Sequence, residues 1–300
     1  MKIQLLALVL AFAATSSCLA QQQRDFSKVE IKTTKISDNF YALEGEGGRI
    51  GILAGPDGIF MVDTQFAQIS DRILAAIRQI TDAPFRILVN THVHGDHTGG
   101  NANFARQGAT IMARPLLRER LMKPAAPQGV KPLPPAPAQA LPVVTDDTET
   151  TIHMNGEDVR LIPAPVAHTD GDTLVYFPKA NVIMTGDFFR SVGFPNIDTV
   201  NGGSLNGLLA SFETVLKLGP PNAIIAPGHG PITDKTAVAK HRDMTIAVRD
   251  KVAGLIREGK SQDEVVAAKP AAQFQAQVGG IAFIADRFVI QLYQQLKTGH

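Results

Sequence analysis

Thr91-His92-Val93-His94-Gly95-Asp96-His97 directly follows Asn90 and the apolar run Phe85–Val89, a pattern typical of a buried strand. His92 and His94 are two residues apart, so their side chains lie on the same side of an extended chain. Gly95 permits a tight turn before Asp96 and His97. Ligand-type side chains at this density can serve two adjacent metal ions, with one pair facing each ion. The segment therefore predicts a metal site at the end of a strand.

Three further ligand-type side chains stand near predicted strand ends, beside or close to glycine. His168 lies in a loop between strands, Asp187 ends the strand that contains Met184, and His229 follows the strand Ala223–Ala226. A sheet presents ligands into a cleft rigidly from such positions. The only cysteine is Cys18, at the very start of the chain. Histidine and carboxylate ligands without a thiolate suit zinc, manganese or iron.

The hydrophobic periodicity changes twice along the chain from strand-like to helical. The predicted strands are 29–31, 40–43, 50–53, 58–62, 85–89, 150–154, 158–162, 173–177, 182–184 and 223–226. The predicted helices are 69–80, 101–107, 204–218 and most of 234–297, and the Pro-rich segment 123–142 is predicted as a loop. Two passes through strands and then a helix favour two mixed sheets packed together with helices outside.

The order and spacing of the seven ligand-type residues resemble the metallo-β-lactamase superfamily over nearly all of the chain after its first residues. The resemblance implies an α/β (α+β) fold, the four-layer αββα sandwich, with the metals at one edge of the paired sheets. It also implies two zinc ions per chain, with one aspartate bridging both. By position, the first zinc would be held by His92, His94 and His168, the second by Asp96, His97 and His229, and the bridge would be Asp187.

A site of this kind predicts hydrolysis. Two zinc ions can supply a hydroxide at neutral pH and place it against a carbonyl or phosphoryl centre. Asp96 is the predicted catalytic side chain, because it can orient that hydroxide as well as bind metal. Asp63 ends the strand Met61-Val62-Asp63, where this superfamily usually has an aspartate that fixes a metal-bound histidine. The alternative for Asp63 is a carboxylate that only closes a turn at a strand end.

The substrate is less well marked. The run from His168 to Pro178 resembles secreted zinc β-lactamases of the first subclass, in which a cysteine and then a lysine that holds the substrate carboxylate follow. Here those positions are Asp187 and Arg190, and Arg190 either binds a substrate carboxylate or is a surface arginine. The Gly-rich stretch Glu44–Gly48 resembles the flap beside that site, or is simply a tight turn. We therefore expect a β-lactamase-like enzyme that opens β-lactam rings.

Two alternatives remain open at this point. The first is a thioesterase or lactonase like glyoxalase II, whose anionic substrate would be bound by Lys251, Arg257 and Lys260 in the helical C-terminus. The second is a zinc-binding accessory protein of the periplasm without catalytic turnover. The complete ligand set favours an enzyme over the second alternative.

The first twenty residues predict a signal peptide. Lys2 is followed by the apolar run Ile3–Ala14, and Cys18-Leu19-Ala20 fits a cleavage site before Gln21. An N-terminal membrane anchor is the alternative. Residues 21–300 are predicted to form a single domain with a helical C-terminal extension from about 234. The predicted location is periplasmic or secreted.

Loss of Lys2 would leave 28 basic residues, from the 29 in the full sequence, against 28 acidic ones. A neutral chain without a basic stripe predicts no nucleic-acid binding and no stable membrane association after cleavage, so the expected partner is a small-molecule substrate. The oligomeric state is left open. The other histidines, His153, His241 and His300, are predicted to be solvated or satisfied by neighbours rather than ligands.

Overall fold

Residues 25–279 and 282–298 of the computed structural model form two β-sheets with helices on their outer faces. The predicted signal peptide and His300 lie outside the described residues. In the seven-stranded sheet the spatial order follows the chain, with antiparallel pairing up to the fourth strand and parallel pairing after it. Its strands are β1 (Lys32–Lys35), β2 (Phe40–Glu44), β3 (Ile50–Gly55), β4 (Gly58–Val62), β5 (Phe85–Val89), β6 (Thr110–Ala113) and β7 (Val144–Thr145).

The five-stranded sheet has the order β12-β11-β10-β9-β8. Its strands are β8 (Thr150–Met154), β9 (Glu157–Pro163), β10 (Thr173–Phe177), β11 (Val182–Met184) and β12 (Ile224–Ala226). Asn155 and Gly156 connect β8 to β9 with φ angles of 54° and 74°, the left-handed values that a two-residue hairpin turn requires. Asn155 and Gly156 therefore form the two-residue turn of a β-hairpin. β11 and β12 are parallel, so their carboxyl ends meet at one edge.

Some of the helices begin at a side-chain cap. Those of the described residues are α1 (Ser70–Arg78), α2 (Gly95–Thr98), α3 (Asn101–Arg106), α4 (Pro115–Met122), α5 (Leu205–Lys217), α6 (Lys235–Arg257), α7 (Gln262–Ala267), α8 (Gln275–Val278) and α9 (Ala282–Thr298). Ser204 and Asp234 cap α5 and α6, and Ser261 forms a capping box with Glu264 at α7. None of these helices combines the length and apolarity that a membrane crossing would need.

Three hydrophobic clusters separate the four layers. One lies between α1 and the seven-stranded sheet, one between the two sheets, and one between the five-stranded sheet and helices α5, α6 and α9. β10 shows how strand alternation builds them: Leu174 faces the helices, whereas Val175 and Phe177 face the other sheet. Each fully buried side chain of this kind contributes about 1.5–3 kcal/mol. The predicted αββα sandwich is confirmed by this layering.

The structure corrects several boundaries. The first strand is β1, not residues 29–31; Val29 and Ile31 instead pack beside the cluster under α1, with Phe26. The sequence pattern did not predict β6, α4 and β7. These elements flank the Pro-rich loop and carry few alternating apolar residues. The helical C-terminus is divided because Gly259, with a φ of 81°, ends α6 before the Ser261 cap.

Candidate metal centre

The predicted ligands converge at the edge where parallel strands of both sheets end. His92 and His94 follow β5, and α2 carries the next two ligands of the segment. His168 lies in the loop between β9 and β10, and His229 follows β12. Asp187 was predicted to end a strand. It lies instead just beyond β11, in a single 3-10 turn, Gly186–Phe188. Both sheets therefore contribute to one site.

The side chains form two clusters, each with ligand atoms within 4.8 Å of one another. The first cluster is His92, His94, His168 and Asp187, and the second is Asp96, His97 and His229. In the first cluster, His94 Nδ1 lies 3.0 Å from His168 Nε2.

Asp187 links the two clusters. Its Oδ1 lies 3.2 Å from His97 Nε2, and its Oδ2 lies 3.2 Å from His229 Nε2 and 4.0 Å from His168 Nε2. Asp96 Oδ2 lies 3.2 Å from His229 Nε2 on the other side of the second cluster. One buried carboxylate therefore faces histidines of both clusters.

The donor atoms fit metal ions. His92 Nε2 is buried and has no hydrogen-bond partner among the described residues. His97 Nε2 and Asp187 Oδ1 are also buried, and although they lie 3.2 Å apart, their geometry is not that of a hydrogen bond. Such groups cost about 1–3 kcal/mol each when nothing satisfies them. A cation at the centre of each cluster would satisfy them. The donor set of imidazole nitrogens and carboxylate oxygens is one that zinc accepts.

The other ring nitrogen of four ligand histidines is fixed by a protein partner. His97 Nδ1 lies 2.7 Å from Asp63 Oδ2, and His94 Nε2 lies 2.7 Å from Asp198 Oδ2. The remaining two pairs are His168 Nδ1 with the Asn196 carbonyl oxygen at 2.7 Å and His92 Nδ1 with Thr91 Oγ1 at 3.1 Å. If each of these nitrogens carries the proton, the nitrogen facing the cluster is free to bind metal.

Asp63 therefore contacts His97, one of the predicted ligands. It also accepts hydrogen bonds from the Thr91 backbone N–H at 2.8 Å and from Thr91 Oγ1 at 2.6 Å. Asp198 and Asn196 were not found from the sequence. Asp198 is 104 residues from His94 in the chain and sits in an irregular segment, so no local pattern marked it.

The charges of the second cluster support one another. Burial alone would lower the pKa of His97, but the Asp187 and Asp63 carboxylates raise that pKa well above its ordinary value. Burial would raise the pKa of Asp187, and the positive charge on His97 instead holds it well below its usual range. In the first cluster, burial lowers the pKa of His168 to about 4. Burial therefore favours the neutral form of the His168 imidazole, whereas the neighbouring carboxylates favour the charged form of His97.

Asp172 supports the loop that carries His168. Its carboxylate accepts hydrogen bonds from the backbone N–H groups of His168, at 2.7 Å, and Thr169, at 3.0 and 3.1 Å. Burial raises the pKa of Asp172 to about 7 against those hydrogen bonds. The carboxylate fixes the backbone at the ligand position without touching the cluster.

The comparisons with known proteins agree with this geometry. A family model described as the metallo-beta-lactamase superfamily matches residues 44–229, which include all seven predicted ligands. The chain belongs to the metallo-β-lactamase superfamily. Homologues in this superfamily are hydrolases, and the described residues of this chain form His/Asp clusters that could hold metal.

Two relatives and one solved structure show how far the similarity extends. A hydroxyacylglutathione hydrolase of Nitrosococcus oceani is 29% identical over 178 residues, which are 59% of this chain and 59% of that protein. A metallo-beta-lactamase type 2 of Elizabethkingia meningoseptica is 22% identical over 254 residues, covering 82% of this chain and 95% of the relative. The structure of a metallo-beta-lactamase from Pontibacter korlensis superposes with a TM-score of 0.61 at 19% identity, covering 72% of this chain and 99% of that one.

Arg190 acts electrostatically on groups of the helical layer. Its Nε is buried without a hydrogen-bond partner among the described residues. The groups that sense its charge are His241 on α6 and Arg287 on α9, both of whose pKa values it lowers in addition to the effect of burial. Its contact with a substrate stays a prediction.

The predicted flap, Glu44–Gly48, is hydrogen-bonded to the second cluster. The Gly48 N–H donates to the Asp96 carbonyl at 3.0 Å, and Gln65 Nε2 donates to the Gly48 carbonyl at 2.7 Å. On its outer side the flap borders a cavity of about 520 Å³ that His229 also lines. Gly48 packs so closely on His97 that an added Cβ would overlap the imidazole ring.

Replacing Gly48 with alanine should therefore displace His97. We expect Gly48→Ala to weaken metal binding by at least about tenfold, because this ring cannot turn without losing its contact with Asp63. Overpacking should also cost about 1–3 kcal/mol of stability. Chelator competition measures the first effect and urea unfolding the second. Gly95→Ala is the matched control, since a Cβ at Gly95 meets nothing within 4 Å, and equal effects of the two variants would contradict the prediction.

The histidines outside the centre differ in environment. His153 is exposed at the β8–β9 hairpin and contacts Asp158. His241 is buried against Phe189 and Phe212, with ring centroids 5.4 and 5.8 Å away, and its Nε2 has no hydrogen-bond partner among the described residues. His241 is therefore a core residue that is neither solvated nor fully satisfied.

His241 should make the protein sensitive to acid. Burial lowers its pKa to about 4 from 6.5. Above pH 6.5 the side chain is neutral in both states; between pH 6.5 and 4 only the unfolded chain takes up the proton, so stability falls as the pH falls. Between pH 8 and pH 5 we expect the free energy of unfolding of His241→Gln to fall by about 2 kcal/mol less than that of the parent protein. Urea unfolding of chelator-treated protein tests this, with His153→Gln as the surface control; equal losses in parent and His241→Gln would contradict it.

Proposed function

We propose that this superfamily member is a hydrolase that binds two zinc ions per chain and opens the amide bond of β-lactam rings. The observation that carries the proposal is the convergence of the predicted ligands in two clusters that share Asp187. The relative from Elizabethkingia meningoseptica, which this chain matches over 82% of its own length, adds support. The chain spans only 59% of the length of the hydroxyacylglutathione hydrolase, so that activity does not carry over directly.

The roles of the residues follow from their positions. Zinc in the two clusters would supply an activated water as nucleophile and a Lewis acid for the substrate carbonyl. One zinc would be held by His92, His94 and His168, the other by Asp96, His97 and His229, and Asp187 would contact both.

Asp96 is the side chain we propose to act on the water. Burial would raise its pKa, but the hydrogen bond from His229 lowers it to about 2, so Asp96 is ionised at neutral pH. An ionised carboxylate with that pKa is a weak base and a good hydrogen-bond acceptor. Its role is therefore to orient the attacking water rather than to keep its proton.

A second candidate is hydrolysis of a thioester or lactone. The carboxylate of Asp187 favours it, because the β-lactamases that the sequence resembles have cysteine at this position. The residues expected to bind an anionic substrate do not strengthen this candidate. Lys251 donates to Gln273 and Lys260 pairs with Glu264 on the surface of the helical layer, and Arg257 is exposed.

A substrate panel distinguishes the candidates. Zinc-loaded protein of residues 21–300 would be assayed with a cephalosporin, a carbapenem, an acyl-glutathione thioester, a lactone and a phosphodiester. We expect the highest kcat/KM for a β-lactam and its loss in His94→Ala. A higher kcat/KM for the thioester or lactone would replace our proposal by the second candidate. Two zinc ions per chain without turnover of any substrate would favour an accessory protein.

We also propose that the chain is exported, on the basis of Lys2, the apolar run Ile3–Ala14 and the small residues before Gln21. Expression of the full chain in a Gram-negative host, followed by osmotic-shock fractionation and N-terminal sequencing, tests this. Release of a chain that begins at Gln21 is expected. An uncleaved chain that stays in the membrane or cytosol fraction would contradict the proposal.

A further inference from the structure

Arg49, just before β3, is a buried arginine that contacts the backbone on both sides of His229. It is 4% exposed. Its backbone N–H donates to the Gly228 carbonyl at 2.8 Å, Nε donates to the Pro227 carbonyl at 3.2 Å, and Nη2 donates to the Gly230 carbonyl at 2.5 Å. Arg49 thus binds the carbonyl groups of both residues next to His229 and of one residue further.

The guanidinium is suited to this task. Its planar fork directs several N–H groups at fixed angles, so one side chain can bind two carbonyl groups at once. Nη1 contacts the Glu44 carboxylate, which balances the buried charge. A lysine has a single ammonium group and could not reproduce both carbonyl contacts. Arg49 therefore joins the flap to the loop of the His229 ligand.

Arg120 on α4 makes a similar connection at the other cluster. Its Nε and Nη2 donate to the two oxygens of Asp170 at 2.8 and 2.5 Å, and its Nη1 donates to the Val200 carbonyl at 3.2 Å. Asp170 is two residues beyond His168, and Val200 is two residues beyond Asp198. One arginine thus joins the loop of a ligand to the loop that holds the outer nitrogen of His94.

We propose that Arg49 and Arg120 are positioning residues that act on different metal positions. Arg49 sets His229, and hence the cluster of Asp96, His97 and His229. Arg120 sets His168 and, through Asp198, His94, and hence the other cluster. The inference rests on the proposed two-zinc site. The contacts of the two arginines have no residue in common, so each position can be weakened by itself.

Zinc titration followed by histidine side-chain NMR tests the separation. The chelator-treated full-length mature chain, labelled with 15N in histidine, would be titrated with zinc, and ring signals would be assigned from histidine-to-alanine variants. In Arg49→Met we expect the His229 and His97 signals to need about 10–100-fold more free zinc for saturation, with the His168 signal near its parent value. In Arg120→Met we expect the reverse.

Arg72 provides the matched control. It also donates to three backbone carbonyls, those of Phe26, Ser27 and Val29, but it lies at the surface. Arg72→Met should leave both clusters as in the parent.

The outcomes separate the possibilities. Equal weakening of both clusters by either arginine variant, or changes below about threefold, would overturn the inference. Arg49→Lys and Arg120→Lys, which keep the charge, carry the test if a methionine variant does not fold. If neither the methionine nor the lysine variant of one arginine folds, that arginine is required for folding rather than for positioning a ligand. This outcome would also overturn the inference. A parent protein that does not bind two zinc ions would instead contradict the proposed function.

Discussion

Asp187→Asn should lose zinc from the centre and lower β-lactam or other substrate turnover by at least about 100-fold. Loss of a group that only supports a ligand costs about 10–100-fold, and Asp187 is itself the predicted ligand that faces both clusters. The amide would turn an N–H group toward either His97 or His229, and neither arrangement reproduces a bridging carboxylate. Metal content by atomic spectroscopy and kcat/KM measure the two effects.

Asp158→Asn is the control for this substitution. Asp158 is also an aspartate beside a histidine, His153, but its side chain is 58% exposed and belongs to the β8–β9 hairpin. It should keep the parent zinc content and rate. Asp187→Asn protein with parent zinc content and parent kcat/KM would rule out the bridging role and leave the two clusters chemically separate.

Asp63→Asn should have the largest effect on stability. The carboxylate is buried and binds the Thr91 N–H, Thr91 Oγ1 and His97 Nδ1 together. An amide can accept from the first but presents an N–H group to the other two. We expect a loss on the order of 3 kcal/mol in the metal-free protein and zinc affinity lower by about 10–100-fold.

The Asp63→Asn substitution does not strain the backbone. Asp63 has a φ of 61°, a left-handed value that asparagine also tolerates, so the substitution changes the charge and hydrogen bonds rather than the backbone. Asp57→Asn is the control, because the Asp57 carboxylate lies in an exposed turn and accepts its hydrogen bond from the Asn155 N–H. It should change stability by less than about 1 kcal/mol. Equal unfolding free energies for the two variants would show that Asp63 only closes a turn.

The sequence predicted which side chains come together because their pattern is local. His92 and His94 stand two residues apart after an apolar run, and His229 stands beside glycine after another strand. The layered fold was predictable for a similar reason, since alternation within β10 already separates its two faces. Asp63 was marked by its place at a strand end, which left its partner undefined.

What the sequence did not predict depends on contacts between distant segments. Asp198 reaches His94 across 104 residues, and Arg49 reaches Pro227 across 178. Neither has a neighbour in the chain that signals the contact. Strands β6 and β7, the last two of the seven-stranded sheet, were missed because they contain only four and two residues, too few for a period to show. Arg190, in contrast, was marked as a substrate-binding position by the resemblance alone. In the structure its charge acts on His241 in the helical layer.

Each cluster takes ligands from both sheets: His92 and His94 follow a strand of one sheet, whereas His168 and Asp187 follow strands of the other. A bound ion therefore acts as a cross-link between the two halves of the sandwich, and only the assembled sandwich offers the complete site. By mass action, free zinc at about 100 times its Kd would add about 2.7 kcal/mol to the unfolding free energy. The resistance of this protein to unfolding and proteolysis should then follow the zinc supply of its surroundings.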